Sequence, residues 1–218
     1  MSFPESYYKQ YTGSYCTKIG QDMRGILKYN FNKQGFINNL DYNVSEKNAV
    51  AFFGSAITSA IGIPWDRSFA YMSCENKYKA YNFGQGCIFV DNTEIYNTIK
   101  RVKEIKDFKP FAYVVQFTDL GRVFNPKRQA GSLEYDETIN LSKFLDIFKR
   151  TEELLKDDNW VFFGADYVNY KLPKYIVKHE KCLIWNPLRI DTVLLDMQGE
   201  KWHKMLSMGI NKRLKSFT

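Results

Sequence analysis

Residues Asn48 to Pro64, NAVAFFGSAITSAIGIP, form the most informative stretch of this chain. The apolar run Ala49–Phe53 is too short for a free-standing helix and lies between a polar segment and a glycine, so it predicts a buried β-strand. The strand ends at Gly54, and small residues follow as far as Gly62-Ile63-Pro64. A strand that ends in glycine and small residues is where an α/β protein lets a ligand approach its backbone. We therefore expect one wall of any binding site here.

Beyond this stretch, short apolar runs alternate with segments of helical periodicity. Further strands are predicted at 79–83, 111–117 and 160–163, with a short fifth strand at 181–185. Helices are predicted at 65–74, from a cap at Asn92 or Thr93 to Ile105, at 136–156, and from Gly199 onward. Strands and helices that alternate with short connections predict a parallel sheet covered by helices on both faces. The predicted fold class is therefore α/β, a three-layer sandwich.

Residues 1–47 differ from the rest because they are polar, rich in tyrosine and little periodic. They predict an extension that packs on the core or on a partner, with a short strand near Ile26–Phe31, while 48–218 form the α/β domain. Phe36 is the aromatic residue that we expect to cover the core. Tyrosine offers contact area with few rotatable bonds and a polar tip, which suits an interface. We expect the first fifteen residues to pack against another chain.

Composition narrows the class of protein. The 218 residues are 44% hydrophobic and 17% aromatic, which are globular values. No apolar run approaches the roughly 20 residues of a membrane span, and the first residues have no signal-peptide core. Four cysteines without a C-x-x-C pair indicate neither a disulfide framework nor a zinc site, so we expect no metal and no cofactor. The net charge of +7 leaves nucleic-acid or other polyanion binding open, although the basic residues are scattered.

Five short blocks occur in an order that resembles a known superfamily. They are Asn32-Lys33-Gln34-Gly35-Phe36, Gly54-Ser55-Ala56-Ile57-Thr58 followed by Gly62, Tyr81-Asn82-Phe83-Gly84-Gln85-Gly86, Val114-Val115-Gln116-Phe117-Thr118-Asp119, and Asp196-Met197-Gln198-Gly199 followed by His203. In this order and spacing the chain resembles the SGNH hydrolases, lipases and esterases with a flavodoxin-like sheet. The resemblance is strongest to phage and bacterial members that carry a short N-terminal extension.

The resemblance also places the family's catalytic groups on this sequence. The serine nucleophile would stand at Ala56, the histidine base at Met197, and the oxyanion asparagine at Thr118. Alanine cannot attack an ester carbonyl and methionine cannot accept a proton, so the resemblance implies a degenerate site. Ala56 and Met197 would then face each other at one edge of the sheet.

A fallback set of three catalytic residues stays open, with Ser55 as nucleophile, His203 as base and Asp196 to orient the base. Ser55 comes one residue early, and such a shift turns a side chain to the other face of a strand. His203 lies on a predicted amphipathic helix, where we expect a surface or boundary position. His179 lies in a basic segment and is expected to be exposed.

The sequence therefore favours a binding or assembly role over catalysis. The predicted ligand-pocket wall comprises Gly54, Ser55, Ala56, Gly84, Gly86, Thr118, Asp119 and Arg122. The resemblance implies a bacteriophage protein of the host cytoplasm or the virion, whose partners are other protein chains, virion components among them, or copies of itself. Two alternatives remain: a carboxylic-ester hydrolase that uses Ser55 with His203, and a polyanion-binding or nucleic-acid-binding protein.

Overall fold

The chain begins with a small antiparallel ladder and continues into a parallel sheet. These elements belong to a computed structural model that describes residues 3–5, 16–18, 27–38, 40–61, 63–74, 77–85, 90–118, 137–164, 176, 178–183 and 200–218. The strands are β1 (Cys16–Lys18), β2 (Leu27–Tyr29), β3 (Ala49–Phe53), β4 (Lys79–Asn82), β5 (Ala112–Phe117) and β6 (Trp160–Gly164). The first two pair with each other, and the other four form a parallel sheet in the order β4-β3-β5-β6.

Four of the five predicted strands of the sheet are confirmed. Of the fifth, predicted at 181–185, residues 181–183 are described, and Cys182 makes an isolated parallel bridge to Phe162. The Phe162 N–H donates to the Lys181 carbonyl at 3.0 Å, and the Leu183 N–H donates to the Phe162 carbonyl at 2.8 Å. This bridge extends the sheet beyond β6 by a single residue pair within the described part of the chain.

Helices follow the strands as the periodicity predicts. A 3₁₀ turn, Trp65–Arg67, precedes α1 (Phe69–Cys74), and the longer helices are α2 (Asn92–Lys103), α3 (Glu137–Leu154) and α4 (Glu200–Ser216). The N-cap of α2 is Asp91, one residue before the predicted cap at Asn92 or Thr93. Its side chain accepts a hydrogen bond from the Glu94 N–H at 2.8 Å, which satisfies a free donor of the first turn. The helix ends at Lys103, so Ile105 lies beyond it.

Both faces of the sheet are buried, which explains why β3 and β6 are apolar and why β5 is apolar except at Gln116. Alternate residues point to opposite sides. Ala51, Phe53, Val115 and Phe162 pack with residues of α2 and α3. Val50, Phe52, Val114 and Val161 pack with residues of α1 and α4. The two cores on either side of one sheet confirm the predicted three-layer sandwich.

The segment before β3 closes one open edge of this sheet. The Asn38 side-chain amide donates to the Ala80 carbonyl at 2.8 Å, and the Tyr42 hydroxyl donates to the Asn82 carbonyl at 2.5 Å. Asn82 in turn donates from its side-chain amide to the Ile37 carbonyl at 3.4 Å. The side chains of Asn38 and Tyr42 thus bind carbonyl groups of β4, the outermost strand of the parallel sheet. Unpaired carbonyl groups at a sheet edge could otherwise bind another chain.

Aromatic side chains from the same segment enter the core. Phe36, as expected, is buried, and so is Tyr42. Phe3 is buried too, with its ring 4.9 Å from that of Phe108 and 5.5 Å from that of Tyr42. The expectation that the first fifteen residues pack on another chain is therefore wrong for Phe3, because its ring fills space in this chain's own core. Residues 6–15 lie outside the described part of the chain.

Candidate functional site at the carboxyl edge of the sheet

Gly54 is the point where β3 ends and the candidate site begins. Its carbonyl accepts a hydrogen bond from the Gln85 N–H at 2.9 Å, which ties the end of β4 to the end of β3. A Cβ placed on Gly54 would overlap Thr58 Oγ1 and lie 2.6 Å from Gln116 Oε1. Only glycine fits here, because two polar side chains close against the backbone.

Gly84 plays the same part on the neighbouring strand. A Cβ on this residue would lie 2.5 Å from the Ser59 nitrogen and 2.7 Å from the Thr58 carbonyl carbon. The Gly84 N–H donates to Asn82 Oδ1 at 2.9 Å, which holds the chain in a tight turn as it leaves β4. Because Gly54 and Gly84 lack side chains, the segment after β3 and the segment after β4 can lie in close contact.

Ser55 is buried and engaged in a hydrogen bond. Its Oγ accepts from Gln116 Nε2 at 3.2 Å, and Gln116 Oε1 accepts from the Thr58 hydroxyl at 2.5 Å. The Gln116 side chain is only 1% exposed, so its amide needs these partners. The cluster binds the turn after β3 to β5. Gln116 was missed as a site residue by the sequence reasoning, although a polar residue inside an apolar strand was the available signal.

Ala56 stands next in the turn and is half-buried. Its carbonyl accepts from the Ser59 hydroxyl at 2.8 Å and from the Ile61 N–H at 3.2 Å. These bonds hold a turn that continues to Ala60, whose φ of 64° lies in the left-handed region. At the position that would carry the family's nucleophile, the chain offers a methyl group.

Thr118 follows β5 at the same edge, with its backbone fixed by Asn92. The Thr118 N–H donates to Asn92 Oδ1 at 2.8 Å, and Asn92 Nδ2 donates to the Thr118 carbonyl at 3.2 Å. Thr118 Oγ1 is buried and finds no hydrogen-bond partner among the described residues. Buried hydroxyl groups are normally hydrogen-bonded, so we expect this one to bind a group that the described residues do not provide.

His203 lies in α4, and its surroundings differ from the expected surface position. The residue is 1% exposed, and its Nδ1 accepts the Phe69 N–H at 3.0 Å, which caps the first turn of α1. The ring stacks on Phe69 with centroids 5.5 Å apart and rings 17° from parallel. Burial lowers the pKa of His203 to about 4, so the ring is neutral at pH 7.

The hydrogen bond of His203 also fixes which ring nitrogen carries the proton. Because Nδ1 accepts, the proton of the neutral ring sits on Nε2. A base in a Ser-His-Asp triad has the opposite arrangement, in which Nδ1–H donates to the carboxylate and Nε2 takes the serine proton. The bonds that the structure assigns to Ser55 and His203 do not join them: one side chain binds Gln116 and the other binds Phe69.

His179 is not the exposed residue that its basic segment suggested. Its Nε2 lies 2.9 Å from Glu152 Oε1, and its ring contacts Phe148, Trp160 and Phe162. The ring is half-buried because residues 178–183 lie against side chains of α3 and β6.

The structure thus brings part of the predicted pocket wall to one sheet edge. Gly54, Ser55, Ala56, Gly84 and Thr118 all follow the carboxyl ends of adjacent parallel strands. Gly86, Asp119, Arg122, Asp196 and Met197 lie outside the described residues, so the pocket and the facing of Ala56 and Met197 stay predictions. In the described part of the chain, no group of three or more His, Cys, Asp or Glu side chains is placed to hold a metal ion. The helices described here include none long and apolar enough to span a membrane.

Comparison with known proteins gives a fold and no closer relationship. The chain matches no protein-family model, and no curated protein sequence matches it. Among solved structures, a protein of the lipolytic G-D-S-L family from Desulfitobacterium hafniense DCB-2 superimposes with a TM-score of 0.51 at 10% identity. The match covers 77% of this chain and 99% of that one.

Two further structures are similar at lower scores. A carbohydrate esterase family 2 enzyme with a carbohydrate-binding domain from Corynascus thermopiles (Myceliophthora fergusii) gives 0.49 at 9% identity, over 88% of this chain and 72% of that one. A lipolytic G-D-S-L family member from Veillonella parvula DSM 2008 gives 0.46 at 15% identity, over 75% and 96%. The Desulfitobacterium match and the parallel sheet define the class: this chain has an SGNH hydrolase-like α/β fold.

Proposed function

We propose that the chain is a catalytically degenerate SGNH hydrolase-like domain that acts in binding or assembly. The observation that carries the proposal is the state of the turn after β3. The resemblance puts Ala56 at the nucleophile position, and the neighbouring hydroxyl of Ser55 is buried and bound to Gln116. A nucleophile needs an open approach for its substrate and a base within hydrogen-bond reach. The burial of Ser55 disfavours an open approach, and its hydrogen-bond partner is an amide and not a base.

The environment of His203 supports the same proposal. A base that works near neutral pH needs a pKa close to that range, and burial has moved this one far below it. Its acceptor nitrogen already serves as the cap of α1. The ring therefore has a structural task, and its removal is expected to affect stability more than any chemical step.

The partners that we propose are other protein chains, with virion components as the class indicated by the resemblance. Support for a protein partner comes from two apolar side chains that the fold leaves in solvent three residues apart on one helix, Met205 being 39% exposed and Met208 67% exposed. Exposed apolar groups that lie together mark contact sites more often than isolated ones do.

Hydrolysis of p-nitrophenyl acetate and butyrate tests the proposal, together with labelling by a fluorophosphonate serine probe. We expect wild-type protein, Ser55→Ala and His203→Asn to give the same rate as heat-denatured protein, and no labelling. The denatured sample controls for reaction of the ester with surface lysines. Turnover or labelling that Ser55→Ala abolishes would refute the proposal and restore the esterase.

A further inference from the structure

Helix α4 carries apolar residues on two sides. Its inner side packs into the core through buried residues, Trp202, Leu206, Ile210 and Leu214. On its outer side Met205 is 39% exposed and Met208 is 67% exposed. Positions 205, 208, 209 and 212 are spaced i, i+3, i+4 and i+7, which places them along one face of a helix. We call Met205, Met208, Gly209 and Lys212 the outer face of α4.

Gly209 is a residue that the fold of this chain does not require. A Cβ added to it would meet no atom within 4 Å, and its φ is not positive. Glycine in the interior of an exposed helix is less stable than alanine there. Beside two exposed methionines, however, it leaves a gap in the side-chain layer through which another backbone can approach closely.

The charges around the outer face of α4 indicate the chemistry of a molecule that would bind there. Lys204, Lys212 and Lys215 are exposed on α4, and Glu200 at its first position is the sole acidic residue of the helix. A second copy of the chain would bring like charges together, and each copy already carries a net charge of +7. An apolar centre with a polar rim is the usual pattern of a protein interface, where methionine is enriched, and on this helix the rim is basic. Nucleic acid presents a uniformly charged backbone and does not call for the apolar centre.

We propose that the outer face of α4 is the docking site for an acidic amphipathic helix of a partner protein. The apolar side of that helix would pack against Met205 and Met208, with Gly209 at the closest approach, and its carboxylates would pair with the flanking lysines. The proposal rests on the binding role proposed above and names the surface and the class of partner. It does not involve the carboxyl edge of the sheet.

The test uses a fluorescein-labelled synthetic helix with leucine and alanine on one face and glutamate on the others. Fluorescence anisotropy should detect binding to the wild-type protein, weaker at high salt. Met208→Asp and Lys212→Glu should each weaken it by about tenfold or more. Lys149→Glu is the matched control: it makes the same charge change at an exposed site of α3, across the sheet, and should bind as wild type does. A peptide with lysine in place of glutamate should not bind.

Gly209→Ala separates a contact role from a structural one. Because alanine favours the helix and meets no steric obstacle, the melting temperature should rise while the affinity for the acidic peptide falls. A melting temperature that falls, or an unchanged affinity, would overturn the proposal. So would failure of the acidic peptide to bind, binding only to duplex DNA or to phosphatidylserine-containing vesicles, or self-association through α4. Ester hydrolysis is measured independently, so the proposed function and this docking site can fail separately.

Discussion

Acidification should destabilise the fold through His203. Its pKa is about 4 in the folded chain against an ordinary value of 6.5, because the ring is buried between α1 and α4. Between these two pH values the unfolded chain binds more protons than the folded one, so the free energy of unfolding falls as the pH falls. A difference of roughly 2.5 pKa units corresponds to about 3 kcal/mol. That stability is present above pH 6.5 and is lost by pH 4.

Nitrogen NMR of the imidazole rings measures both the pKa and the tautomer. The chain has only two histidines, and His179→Asn assigns the two signals. We expect His203 to be the Nε2–H tautomer and to titrate near pH 4. Urea unfolding from pH 7.5 to 4.5 then checks the energetic consequence. His203→Asn keeps an acceptor near the Nδ1 position but loses the buried ring, so this variant should be less stable than the wild type at pH 7. Because asparagine cannot titrate, the free energy of unfolding of this variant should depend less on pH.

Three results would refute this reasoning. His203 could titrate at or above 6.5, its ring could carry the proton on Nδ1, or His203→Asn could keep the pH dependence of the wild type. The second result would mean that the Phe69 N–H is capped by another group and that the ring has the tautomer of a catalytic base.

Two further substitutions test the packing of the chain ends and of the site. Phe3→Ala should lower the free energy of unfolding by about 3–5 kcal/mol and the melting temperature by roughly 6–20 °C. The reason is that the ring is buried among four aromatic side chains. Phe3→Leu should lower the free energy of unfolding less. An unchanged melting temperature for Phe3→Ala would show that the N-terminus does not pack there. Gly54→Ala should cost about 3 kcal/mol in urea unfolding because its Cβ would overlap polar side chains, in contrast to the stabilising Gly209→Ala. Equal effects of the two alanine substitutions would contradict the close packing at the end of β3.

The order of elements in this fold is a property that local sequence patterns determine. A strand buried on both faces is largely apolar, so the runs at 49–53 and 112–117, the second interrupted only by Gln116, stand out from polar surroundings. Short connections between strands and helices then restrict the topology to a parallel sheet. The sequence also indicated the close backbone contact after two of these strands, because glycine follows each of them and such a contact excludes a side chain.

The surroundings of individual polar and aromatic residues were decided only by tertiary structure. Phe3 lies in a short polar segment, and nothing near it in sequence indicates that its ring reaches the core. His203 obtains its buried position and its acceptor bond from Phe69, 134 residues earlier in the chain. Gln116 holds Ser55 only because β3 and β5 are neighbours in the sheet. Periodicity reports the face on which a side chain lies, whereas the charge state and the hydrogen-bond partner depend on groups that distant segments bring to that face.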